Sequence, residues 1–164
     1  DAALELLLLS EGSDAREIIH FDGARVVAEV GDYADGDGSE RSEASIKVRI
    51  HGVSIEASAC GNGPVHAIAQ AFEKACGEAF PLVRDVRLEE YRVDVLDQRA
   101  GFGATVRVQI RATDGNRFWD VQGVSHNIID ASSQAIADAY EYAIVVVAKS
   151  DLVESFGESR KGAV

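Results

Sequence analysis

With 164 residues, 46% of them hydrophobic and 27% charged, the chain is long enough for one compact domain with a core of its own. Its 28 acidic against 16 basic residues give a formal net charge of −12. That balance opposes nucleic-acid binding, in which Lys and Arg supply affinity by displacing counterions.

The aliphatic run near the start, Leu6 to Leu9, falls far short of the roughly 20 residues a membrane span needs and lacks a basic flank. Neither a membrane partner nor a signal peptide is expected. Ala2 to Leu9 reads as a short helix, and residues 1–16 as an N-terminal helix and linker remnant. The chain opens at Asp1 without a methionine, as a fragment or a processed product would. A single domain is expected over 17–149, divided into units at 17–80 and 84–149, with a weakly patterned tail at 150–164.

The first unit opens with Ala24-Arg25-Val26-Val27-Ala28-Glu29-Val30, whose apolar and polar residues alternate as in a half-buried strand. Gly31 to Glu43 is rich in Gly, Asp and Ser and reads as an exposed loop. A second strand runs from Ala44 to Ile50, a tight connection follows at His51-Gly52, and a third strand covers Val53 to Ala59. Gly61-Asn62-Gly63-Pro64 then introduces a helix with Pro at its first position, and Val65, Ile68, Ala69, Phe72 and Cys76 follow at helical spacing.

The second unit repeats this order. Tyr91-Arg92-Val93-Asp94-Val95 is its first strand. Ala104-Thr105-Val106-Arg107-Val108-Gln109-Ile110 matches Ala44 to Ile50 in character at a distance of 60 positions. Thr113-Asp114-Gly115-Asn116 carries an Asp-Gly turn signal before a strand at Arg117 to Val124. A helix starts at Asn127, a good N-cap with Asp130 three residues on, and continues through Ile144. Ala67, Ala71 and Ala75 in the first helix correspond to Ala131, Ala135 and Ala139 in the second, 64 positions away. The expected fold is therefore α+β: two βββα units related by pseudo-two-fold symmetry, with antiparallel sheets packed against helices.

Chemistry is harder to find. His20, His51, His66 and His126 are scattered, with no H-x-H, H-x-x-x-H or carboxylate pattern to hold a metal. No nucleophile elbow, P-loop or Rossmann fingerprint is present, so no catalytic residue is assigned. Cys60 and Cys76 form no C-x-x-C pair and read as reduced, buried thiols of a cytoplasmic protein. Trp119 is expected in the core or an interface. The helix starts at Asn62 to Val65 and Ser125 to Ile128 offer backbone N–H groups to a small carboxylate, although Asn62 and Asn127 also serve simply as helix caps.

Taken in order, Gly61-Asn62-Gly63-Pro64-Val65, Glu90-Tyr91-Arg92-Val93, Asp114-Gly115 and Gly123-Val124-Ser125-His126-Asn127-Ile128-Ile129-Asp130-Ala131-Ser132 resemble the C-terminal regulatory domain of the 2-isopropylmalate synthase and citramalate synthase family. The likeness covers about Arg25 to Ala148. The run from Trp119 to Ser132 and the Ala2 to Leu7 segment resemble the citramalate synthase branch more closely.

The resemblance implies an allosteric feedback-inhibition and homodimerisation domain that binds isoleucine or leucine as effector. Its partner within the same chain would be a catalytic TIM barrel, an acetyl-CoA-dependent acyltransferase, which would hold the divalent metal and acetyl-CoA; the domain itself would need no cofactor and perform no catalysis. Carried over, the effector site comprises Gly63, Pro64, Val65 and His66 at the first helix start, and Leu88, Tyr91 and Val95 on the next strand. Val106 stands opposite, and His126 and Ile128 mark the second helix start. His66 stands where relatives often place an acid or amide, which motivates the alternative of a purely structural dimerisation domain without an effector. A free-standing enzyme is disfavoured, because no catalytic constellation can be assembled.

Overall fold

The structure, a computed structural model, describes residues 18–31 and 42–147. The expected N-terminal helix, most of the Gly- and Asp-rich loop and the tail lie outside the described residues. Among the described residues six strands and two helices follow one another: β1 (Ile19–Ala28), β2 (Ser42–Ile50), β3 (Val53–Gly61), α1 (Pro64–Gly77), β4 (Arg87–Val95), β5 (Val106–Thr113), β6 (Phe118–Ser125) and α2 (Ile128–Tyr142). Short 3-10 turns at Pro81–Asp85 and Gln98–Gly103 flank β4, and a π turn at Ala143–Val147 follows α2. The strands form two antiparallel sheets, in the orders β1-β2-β3 and β4-β5-β6. The fold is thus the expected pair of βββα units.

Strand β2 shows why alternation was legible. Ala44, Ile46, Val48 and Ile50 are buried while Glu43, Ser45, Lys47 and Arg49 are exposed, because successive side chains leave a strand on opposite faces. On α1, Ala67, Ile68, Ala71, Phe72, Ala75 and Cys76 are buried, the two-wide strip that a 3.6-residue period turns toward one side. Helix α1 covers β2 and β3, α2 covers β5 and β6, and the helices also pack on each other and on β1. Phe72 sits at this junction, its ring 5.7 Å from Phe21 of β1 and 6.4 Å from Tyr140 of α2. Burying such a ring contributes about 2–3 kcal/mol. Trp119 is in the core as expected: its indole N–H donates to the Ala139 carbonyl at 3.1 Å, and its ring stacks on Tyr142.

The sequence spacing of 60 is corrected by the register. Ala44 pairs with Ala59, and Val108 with Gly123, so β2 and β3 map onto β5 and β6 with a shift of 64 (44 to 108, 59 to 123), the same shift that relates the alanine rows of the helices. Both 60 and 64 are even. Side-chain phase on a strand has period two, so alternation cannot distinguish them.

The first strands correspond with a shift of 67. Ala24, Val26 and Ala28 pair with Ile46, Ala44 and Ser42, as Tyr91, Val93 and Val95 pair with Ile110, Val108 and Val106. Even the irregularities coincide, between Phe21 and Gly23 in one sheet and between Leu88 and Glu90 in the other. Both strands start earlier than alternation suggested, at Ile19 and Arg87, because each bulge interrupts the two-residue period and hides the segment before it.

Candidate functional site

The two helix starts are built differently. At α1 the cap is Gly63, in an extended conformation and with no side-chain hydrogen bond; Asn62, read as a capping residue, lies one position further out. At α2 the cap is Asn127, whose side-chain oxygen accepts from the Ile129 amide at 2.8 Å. Asp130, three residues on, accepts from the Gln134 side-chain amide at 3.0 Å.

Both histidines near these starts have assigned partners. His66 accepts the Asn62 amide N–H on Nδ1 at 3.2 Å, and its Nε2 lies 3.2 Å from the Gln70 amide. The Nδ1 atom therefore carries no proton in this arrangement. His126 has the opposite form: its Nδ1 lies 3.1 Å from the Gly103 carbonyl oxygen, which can only accept, so this nitrogen donates. Thr105 approaches the same nitrogen at 3.3 Å. His126 thus ties the 3-10 segment after β4 to the start of α2.

The remaining expected residues gather in the second unit. Tyr91 and Val95 lie on the side of β4 that continues the buried row Val108 and Ile110 of β5, since they pair with Ile110 and Val106. That side faces the helix layer, yet α2 meets it at one edge, where Ser132 approaches Tyr91, and leaves much of it uncovered. Tyr91 is 45% exposed, Val93 37%, Val95 47%, and Ile128 at the start of α2 is 43% exposed. Leu88 and Val106 are half-buried against the core. The Tyr91 hydroxyl lies 2.9 Å from that of Ser132, which in turn donates to the Ile128 carbonyl at 2.6 Å.

Gly63, Pro64, Val65 and His66 belong to the first unit, on the helix that packs on β2 and β3. Strand β4 has its main packing within its own unit. Two shallow cavities of about 290 and 390 Å³ lie on the first sheet around Ser45 and Lys47 and between β3 and α1 around Gln70 and Lys74. Neither is lined by an expected site residue.

Sequence reading left out Val93, which lies between Tyr91 and Val95 on the same face, and Ser132. The signal for Ser132 was available, as a polar residue at an otherwise apolar position of the helix pattern.

Among the described residues no cluster of three or more His, Cys, Asp or Glu could hold a metal ion. Within the same residues no helix is long and apolar enough to cross a membrane. The cysteines differ, contrary to the reading of two buried thiols. Cys76 is buried, and burial pushes its thiol up to about 12, whereas Cys60 is exposed because it occupies an outward position on β3 opposite Glu43.

The family model of the LeuA allosteric (dimerisation) domain matches residues 1–144. The chain is 36% identical over 145 residues to the (R)-citramalate synthase of Aquifex aeolicus, covering 88% of this chain and 27% of that protein. It is 37% identical over 145 residues to that of Streptomyces coelicolor, with the same shares covered. A 2-isopropylmalate synthase of Clostridium kluyveri is 29% identical over 98 residues, 60% of this chain and 18% of the relative. The chain thus spans about a quarter of the length of the citramalate synthases it matches. A match over most of the chain, on a fold of two βββα units, means that it belongs to the LeuA allosteric (dimerisation) domain family.

Proposed function

We propose that this chain is the dimerisation and effector-sensing domain of a larger citramalate synthase. Two copies pair over the uncovered helix side of β4, and a branched-chain amino acid, isoleucine ahead of leucine, seats there at the start of α2. The observation that carries the reading is the row Tyr91, Val93 and Val95. It points to the layer where a sheet normally buries its apolar face, and it is left half-exposed by α1 and α2.

An aliphatic side chain against these residues gains about 0.8 kcal/mol per methylene removed from water, so isoleucine binds a few-fold better than valine. The proposed site is made from Leu88, Tyr91, Val95, Val106, His126 and Ile128 of one copy, with Gly63, Pro64, Val65 and His66 at the first helix start completing its wall. Catalysis belongs to the remaining length of such a parent, a cytoplasmic acyltransferase whose TIM barrel holds the divalent metal and acetyl-CoA.

Light scattering and calorimetry test this together. The chain should be a dimer at tens of micromolar and should bind isoleucine. Val93→Asp should give folded monomers that do not bind, because an unpaired carboxylate cannot be buried there without a large desolvation cost. A folded, dimeric Val93→Asp variant would overturn the placement of the interface. A second reading, dimerisation without an effector, is favoured by His66, whose Nδ1 is already engaged by the Asn62 amide. A dimer that gives no heat with isoleucine or leucine would select it.

A further inference from the structure

We propose that Ser132 is a positioning residue which makes the Tyr91 phenol an acceptor for the ammonium group of the amino acid seated against β4; this rests on the effector-sensing reading above. The argument is one of proton accounting. The Ser132 hydroxyl lies 2.6 Å from the Ile128 carbonyl oxygen, which can only accept, so its single proton is committed there. At 2.9 Å from Ser132 Oγ, the Tyr91 hydroxyl must then donate. With its proton turned inward, the half-exposed phenol offers its free lone pair to whatever approaches β4. A lone pair accepts from an ammonium and repels a carboxylate.

The first unit acts as an internal control. By the shifts of 67 and 64 that match the strand and helix registers, Tyr91 and Ser132 correspond to Ala24 and the fully buried Ile68. The same fold therefore forms around an all-apolar pair, and nothing in the packing requires two hydroxyls at this place. Within a helix a serine is also less favourable than alanine, since its hydroxyl competes for backbone groups. The pair is present only in the unit whose first strand presents the larger uncovered apolar row.

The test is calorimetric titration of the whole chain and of Ser132→Ala, Tyr91→Phe and the double variant. The probes are isoleucine and leucine, and their deaminated counterparts 3-methylpentanoate and 4-methylpentanoate. Circular dichroism melting serves as the folding control. The unsubstituted chain should favour each amino acid over its deaminated counterpart by about tenfold or more, the value of a hydrogen bond to a charged group. Each single variant should cut that ratio by about tenfold, and the double variant no further, because both act on one bond. A packing role alone would weaken both ligand types equally and leave the ratio unchanged.

An unchanged ratio in folded Ser132→Ala, while the unsubstituted chain binds both amino acids, overturns the positioning role and spares the effector-sensing reading. Failure of the unsubstituted chain to bind either amino acid overturns both.

Discussion

The two units share register, bulge position and helix phase, yet they treat their first strands differently. In the first, Ile19 is fully buried, Phe21 packs on Phe72, and the residues beyond the bulge on the same side are the small Ala24, Val26 and Ala28. In the second, the corresponding positions beyond the bulge are Tyr91, Val93 and Val95, all half-exposed. In both units the residues before the bulge reach the core, Ile19 and Phe21 in one and Val86 and Leu88 in the other. Those beyond it are largely uncovered in both, but the second unit carries the large apolar side chains there, suited to meeting something outside. The difference lies in side-chain volume, not in backbone.

The largest expected effect tests whether the first unit anchors the core. Phe72 corresponds by the shift of 64 to Ile136, and both are fully buried; the Phe72 ring joins Phe21 of its own unit to Tyr140 of the second. Phe72→Ala should cost about 4 kcal/mol and Ile136→Ala about 3 kcal/mol in urea unfolding, because the larger ring leaves the larger cavity. Equal losses would mean that the junction is no tighter than either half.

Close behind comes a test of how the helices approach their sheets. A Cβ on Gly123 would run into the Ala131 carbonyl oxygen. The matching position in the first sheet is Ala59, so there α1 leaves room for a methyl group. Gly123→Ala should therefore destabilise by about 3 kcal/mol, as overpacking a backbone contact does. Ala59→Gly should cost only about 1 kcal/mol, the conformational entropy of a strand glycine. Thermal melts of the two variants give the comparison directly, and a Gly123→Ala protein as stable as the original would show that α2 can move away.

These contrasts also explain what the sequence could and could not reveal. Ala44 to Ile50 and the alanine rows declared their elements through period two and period 3.6, so the two-unit fold was legible. The shift of 64 was not, because Ala104 to Ile110 keeps the right phase at 60 as well. Bulges concealed Ile19 and Arg87 as strand starts. At the site, Tyr91, Val95 and Ile128 were reached through family likeness. Their exposure on a face that ought to be buried is a property of helix placement, which no local pattern encodes. Ser132 left a local signal, a polar residue in an apolar row, but its partner Tyr91 is 41 residues away and no local pattern names it.

A smaller effect distinguishes the two hairpins by acid. The first turn, His51-Gly52, has both residues at positive φ, the form of a two-residue I′ hairpin. In the second, Asp114 accepts from the Asn116 and Arg117 amides at 2.9 and 2.7 Å. Its burial acts to raise the carboxyl, but these amides and the Arg117 charge outweigh it and hold Asp114 below the usual 3.8. A lowered native value contributes stability above pH 3.8 that is lost as pH falls through the native value. Amide hydrogen exchange at Asn116 and Arg117 should accelerate below about pH 4 relative to Gly52, and Asp114→Asn should flatten that dependence. Parallel behaviour of both hairpins in acid would remove the carboxylate from the account.

The smallest expected effect would make the first helix start resemble the second. Gly63 and Asn127 are matching caps under the shift of 64, but only Asn127 supplies a side-chain acceptor, to the Ile129 amide. Gly63 is extended, at φ −160° and ψ 172°, a conformation any residue adopts, and a Cβ there meets open space. Gly63→Asn should therefore place an oxygen near the Val65 amide and stabilise by a few tenths of a kcal/mol, about the difference between glycine and asparagine at this position. Asn127→Ala should cost about 1 kcal/mol. Denaturant midpoints of the two single variants measure both. If Gly63→Asn instead destabilises while Asn127→Ala behaves as expected, the first cap needs its glycine for a contact that the second lacks. The space above Gly63 would then be occupied in the folded, associated protein, as it must be if the start of α1 forms part of the wall against which the effector is held.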